Sequence, residues 1–135
     1  MTGWLVAPDT ASSVWVAGRP TGYSGGANEL AWKSAVAAAM SGISIPAPAR
    51  IGIEIEFRLR PDQVGHFSPD LDNLVKATVD ATAECIGRRR IKGREQADDE
   101  RVDVIVARKC VATDVARAGA RIAIWALVCD LDTLQ

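Results

Sequence analysis

The chain has 135 residues, 48% of them apolar and 24% charged, with a formal net charge of −1. This is the balance of one globular domain that closes its own core, and it excludes a disordered polyelectrolyte and a globally basic protein. No run approaches the roughly 18–20 apolar residues of a membrane span. Met1-Thr2-Gly3-Trp4-Leu5-Val6 also lacks the basic start and apolar stretch of a secretory leader, so a cytoplasmic protein with no membrane association is expected.

Residues 1–12 show little periodicity and read as a flexible N-terminal arm ahead of a domain spanning 13–130. Ser13 to Ala17 reads as a short strand ended by Gly18-Arg19-Pro20. After a Gly- and Ser-rich loop, Asn28 is placed to cap a helix running through Glu29, Trp32, Val36 and Met40, stopped by Gly42. Arg50 to Arg60 is the clearest strand: Ile51, Ile53, Ile55, Phe57 and Leu59 alternate with charged residues, which predicts one core face and one charged, solvated face with cross-strand Glu–Arg pairs. Leu71, Leu74, Val75, Thr78, Thr82, Cys85 and Ile86 recur at helical spacing, predicting a helix that follows the loop Pro61 to Pro69 and runs to about Ile86. Two strands follow, Arg101 to Arg108 and Ala120 to Val128, and their connection from Val111 to Gly119 has room for a helical turn. The order β-α-β-α-β-β predicts a small single α/β (α+β) domain with a mixed sheet and helices packed on it.

The three cysteines, Cys85, Cys110 and Cys129, are isolated among apolar neighbours and read as buried structural thiols. With His66 as the single histidine there is no zinc-ligand spacing, and no nucleophile elbow supports a Ser-His-Asp site.

Acidic residues carry the strongest chemical signal. Asp70 and Asp72 stand at the mouth of a predicted helix, with Lys76 one turn inside, Asp80 beyond, and Asp98-Asp99 downstream. Pro69 biases the chain toward an extended entry, in which Asp70 and Asp72 would project to one side. At the start of a strand only one of Asp98 and Asp99 should join them. Crowded carboxylates repel unless a cation lies between them, and a hard dication that keeps several waters, such as magnesium, would resolve the repulsion. Lys76 would then stabilise charge on a phosphate oxygen. Each part also has an ordinary role, Asp72 as a helix cap and Lys76 as an i±4 partner of Asp72 or Asp80. A calcium EF-hand is excluded, because Val75 stands where that loop needs glycine and Ala81 where it needs glutamate.

Charge is also segregated. Arg88, Arg89, Arg90, Lys92 and Arg94 fall within nine residues that contain no acid, and read either as a solvated loop or as a loop facing a polyanion.

Asp70-Leu71-Asp72-Asn73-Leu74-Val75-Lys76, with Asp80 and then Asp98-Asp99-Glu100-Arg101-Val102, resembles the signature of the RusA family of Holliday junction resolvases. The strand ending in Gly18-Arg19-Pro20, then Asn28 before a helix bearing Trp32, agrees with it, so the likeness covers roughly residues 13–108. The resemblance implies a homodimeric, magnesium-dependent endonuclease that cuts four-way DNA, with manganese as a substitute metal. It implies Asp70, Asp72 and Asp99 as metal carboxylates and Lys76 as the catalytic lysine; with such a substrate, the charge segregation makes Arg88, Arg89, Arg90, Lys92 and Arg94 the expected DNA contacts. One departure is visible: the interval from Gly87 to Ala97 is longer and more basic than the short turn expected there. Phe67, just ahead of Asp70, has two readings, a loop-packing side chain or a wedge against unpaired bases at the crossover. Two rivals share the same residues: a branched-DNA-binding protein without turnover, and a metal-dependent nuclease acting on flaps or single strands.

Overall fold

The computed structural model describes residues 7–65 and 68–127. His66, Phe67 with its wedge reading, Val128 and Cys129 lie outside them, as do residues 1–6 of the expected arm. The described part of that arm makes a turn, with the Ala11 amide donating to the Pro8 carbonyl at 3.0 Å.

The fold is a small single-domain α+β structure, as the element order predicts. Its main elements are β1 (Ser12–Ala17), α1 (Ala27–Ala39), β2 (Arg50–Leu59), α2 (Leu71–Asp80), α3 (Ala83–Ile86), β3 (Arg88–Ile91), β4 (Arg94–Ala97), β5 (Val102–Val111) and β6 (Gly119–Leu127). Four strands form a mixed sheet in the order β1-β6-β2-β5, in which only the β2–β5 pair is parallel. The connection from Val111 to Gly119 does contain a helical turn, Val115–Arg117.

One face of the sheet holds the core. Val16, Ile122, Ile124 and the alternating apolar residues of β2 pack there against Trp32, Val36 and Met40 of α1, Leu74 and Val79 of α2, and Cys85 and Ile86 of α3. Trp32 Nε1 donates to Thr78 Oγ1 at 3.0 Å, so the indole that joins α1 to α2 is satisfied inside the core.

Five local expectations need correction. The charged face of β2 is not solvated: Glu54 is 2% exposed and Glu56 9% exposed. β2 lies between β6 and β5, and long side chains cover its second face, so alternation alone overstated the access of water. The expected cross-strand pair is present, with Glu56 joined to Arg108 on β5 and to Arg58 at 3.0 Å. Arg58 in turn lies 5.4 Å from the Trp15 ring centre.

Asn28 does not cap α1. The helix begins at Ala27, and Glu29 reaches back to accept from the amides of Ser24 and Gly25. Those backbone amides, then Lys33, draw the Glu29 carboxyl down to about 2.

The predicted long helix is two. α2 stops at Asp80, and the Thr82 hydroxyl donates to the Val79 carbonyl at 2.6 Å, the local side-chain bond that competes with helix continuation.

The basic segment is not a loop but a hairpin of β3 and β4, with Lys92 (φ 52°) and Gly93 (φ 78°) forming its two-residue turn. Of the cysteines, Cys85 is buried as expected, whereas Cys110 is exposed on β5, the sheet's edge strand.

Gly119 is required by geometry. Its φ is +152°, and a Cβ there would lie 2.1 Å from the Val16 carbonyl oxygen of the paired strand. Gly119→Ala is expected to destabilise the fold by about 2–4 kcal/mol through strain and strand displacement, read by urea unfolding.

Candidate metal and phosphate site

The site is assembled at the N-terminal half of α2. Asp70 keeps the extended backbone that Pro69 favours (φ −72°, ψ 145°), and its carbonyl accepts from the Leu74 amide at 3.1 Å. Asp70, not Asp72, is therefore the residue preceding the first turn, and its side chain makes no capping bond. Asp72 is already helical. The extended i, i+2 geometry expected for the two acids does not hold, because helical rotation carries Asp72 around the axis. Asp70 lines a cavity against the Gly18–Ser24 loop, whereas Asp72 lines a groove between α2 and β5.

Lys76 and Asp99 line the same groove as Asp72, with Leu71, Val75 and Ile105 forming its apolar floor. Lys76 Nζ donates to Asp80 Oδ1 at 3.2 Å and to Asp99 Oδ2 at 3.1 Å, so the ordinary helix pair exists alongside a bond across 23 residues of chain. Arg89 takes the other Asp99 oxygen at 3.0 Å. Burial works to raise the Asp99 carboxyl, but the Lys76 hydrogen bond and the charges of Lys76 and Arg89 outweigh it and hold the group below its ordinary value. Asp80 moves the opposite way, raised by burial and then by the charge of Asp99, and it accepts a hydrogen bond from the Tyr23 hydroxyl.

Asp98 and Asp99 sit on a helical turn (Asp99–Arg101) rather than at a strand start. The Asp98 amide is tied to the Gly87 carbonyl at 2.8 Å, and its carboxylate lies 3.8 Å from Arg89. Asp99 is the acid that shares the groove with Asp72.

The donors fit a hard dication by type, since Asp70, Asp72 and Asp99 offer only carboxylate oxygen. They are not gathered into a cage. Among the described residues no group of three or more His, Cys, Asp or Glu is close enough to hold a metal ion. Lys76 and Arg89 supply the positive charge beside Asp99.

The hairpin divides the five basic residues. Arg88 pairs with Glu84 at 2.6 Å and Arg89 with Asp99, so both are spent on internal structure. Arg90, Lys92 and Arg94 have no ion pair among the described residues and are exposed.

Two contributors escaped the sequence reading. Arg89 turns inward, a role hidden within a run of like charges. Arg101 is buried and donates to the Ala49 carbonyl at 2.8 and 3.1 Å and to the Ile86 carbonyl at 2.8 Å. It locks the turn that carries Asp99 to the end of α3.

No protein-family model matches this chain, and no curated protein matches it. Among the described residues no helix is long and apolar enough to cross a membrane.

Proposed function

We propose that this chain is a magnesium-dependent endonuclease of the RusA type, resolving four-way DNA junctions as a homodimer. The observation that carries the reading is the meeting of Asp72, Lys76 and Asp99 in one groove, with the hairpin that bears Arg90, Lys92 and Arg94 rooted beside it. Asp72 and Asp99 would hold the ion from the groove, with manganese as a substitute, and Asp70, which faces the neighbouring cavity, would join them only by turning its side chain across the helix mouth. When bound, such an ion polarises a phosphodiester and acidifies water.

The chain's own residues prepare that chemistry. Lys76 is shared between Asp80 and Asp99, so it can keep Asp80 while releasing an Asp99 oxygen and turning its charge to the phosphate. Arg89 holds Asp99 ionised from the hairpin side. The exposed hairpin cations meet the backbone of a DNA arm, a contact that positions the substrate without reading bases. A two-fold dimer would present two matching sites to the two equivalent strands of a junction.

The test is cleavage of an end-labelled synthetic four-way junction, with magnesium and with chelator, by the native chain and by Asp72→Asn. Paired symmetric nicks are expected, lost with chelator and reduced by about 10²-fold or more in the variant. Full cleavage by Asp72→Asn would remove the groove from the chemistry.

One observation favours a second reading, a branched-DNA-binding protein without turnover: both oxygens of Asp99 already accept from cations. Tight junction binding with no nicking in either metal supports that alternative. Preference for flaps or single strands over the junction at equal concentration would redirect the nuclease reading to those substrates.

A further inference from the structure

We infer that the cavity between the Gly18–Ser24 loop and the mouth of α2 seats the nucleotide next to the scissile phosphate, with Arg19 as its phosphate ligand. The inference rests on the nuclease reading and adds a binding site to it.

The cavity is about 400 Å³ and includes Asp70, Arg19, Asn28, Asn73 and Tyr23 in its lining. That volume is within the range of small-molecule sites and admits one nucleotide. Its wall is built rather than loose. The buried Gln63 side chain donates to the Pro20 carbonyl at 2.7 Å and accepts from the Arg60 amide at 2.9 Å, pinning the loop to the chain after β2. Thr21 Oγ1 donates to the Arg19 carbonyl at 2.8 Å. Gly22 lies flush on α2, where a Cβ would be 3.0 Å from Asn73 Cβ and 3.2 Å from its carbonyl carbon. Arg19 and Asn73 thereby border one space.

Arg19 is the one cation among the described residues lining this cavity, beside the carboxylates of Asp62 and Asp70, so its own hydrogen-bonding state decides what it can take. Arg19 is half-exposed, and its nearest acid is Asp62 at 3.8 Å, beyond hydrogen-bond reach. Asp62 is already gripped by Arg60, whose Nε and Nη2 donate to its two oxygens at 3.0 and 2.9 Å. The Arg19 fork is therefore left to an oxyanion, and a phosphate matches it with two parallel bonds. The side-chain amides of Asn28 and Asn73 offer both donors and acceptors, as a base edge or sugar requires. Asp70 belongs to this cavity and also stands two residues before Asp72 of the groove, so a nucleotide seated here adjoins the reacting bond.

The experiment uses the full chain, uniformly ¹⁵N-labelled, titrated with thymidine 3′,5′-bisphosphate, alongside junction cleavage kinetics for the native protein, Arg19→Gln and Arg19→Lys. Expected are shifts of the Gly22 and Ser24 amides and of the Asn28 and Asn73 side-chain amides. Arg19→Gln should weaken them by about 10–100-fold, and Arg19→Lys by less. Junction KM should rise about tenfold in Arg19→Gln, with kcat changed far less. Cleavage by the native chain without these shifts, or equal shifts in Arg19→Gln, overturns the inference and leaves the nuclease reading standing. Arg19-dependent shifts without junction cleavage uphold the nucleotide seat and overturn the nuclease reading. Unshifted amide spectra of the variants outside the loop confirm that they are folded.

Discussion

Lys76→Met is expected to slow junction cleavage by about 10²–10³-fold, the loss that follows removal of one preorganised positive group from a phosphoryl site. Stability should barely respond. The Lys76 side chain is 51% exposed and that of Asp99 30%, so solvent screens their pair and its removal costs no more than about 1 kcal/mol. A large rate loss with a melting midpoint moved by only a few degrees therefore separates chemistry from scaffolding. Single-turnover cleavage and circular-dichroism melting read the two quantities. Lys76→Arg should restore part of the rate, because it returns the charge with a different shape. Cleavage within threefold of native by Lys76→Met would reduce Lys76 to a helix-surface ion pair.

Arg101→Met is expected to produce the largest loss of stability, about 3–5 kcal/mol. The methionine fills much of the space but leaves the Ala49 and Ile86 carbonyls without the buried donor they share. The orphaned Ile86 acceptor is buried and costs about 1–3 kcal/mol, the half-buried Ala49 acceptor costs less, and lost packing of the long side chain adds to both. Arg101→Lys should recover little, since one ammonium cannot span both carbonyls in a fixed fork. Urea unfolding of the three proteins checks this. Because Arg101 fastens the turn holding Asp99, the partly folded variant should also lose cleavage more steeply with temperature than native.

The four strands of the main sheet, its mixed type, the helices between them and the apolar face of β2 were legible because each rests on local periodicity. Burial of Glu54 and Glu56 was not, since it depends on which strands flank β2 and which long side chains fold over them. The hairpin was hidden for a different reason: Arg88-Arg89-Arg90 has no apolar alternation, although Lys92-Gly93 is a usable turn signal. At the site, the acid and lysine spacing led to Asp70, Asp72 and Lys76 but left Asp98 and Asp99 open; the resemblance singled out Asp99, and it shares one groove with Asp72 and Lys76. What spacing could not convey was the division of Asp70 and Asp72 between two cavities, which turns on the helix being preceded by Asp70 rather than by Asp72. Nor could it reveal Arg89 and Arg101, whose partners lie far away in sequence or are backbone carbonyls with no residue signature.

The hydrogen bond from the Asp98 amide to the Gly87 carbonyl closes the base of the hairpin, and it makes residues 88–97 an insertion pinched at its neck. Such a ribbon can grow or shrink at its tip while the neck, the turn bearing Asp99 and the end of α3 stay in place. Each residue added per strand extends it by about 3.3 Å, so on the proposed nuclease reading two per strand would carry its cations roughly one phosphate further along a DNA arm. Reach over that proposed substrate would then be uncoupled from the groove of Asp72, Lys76 and Asp99, and a library of tip lengths would tune footprint without change to the groove.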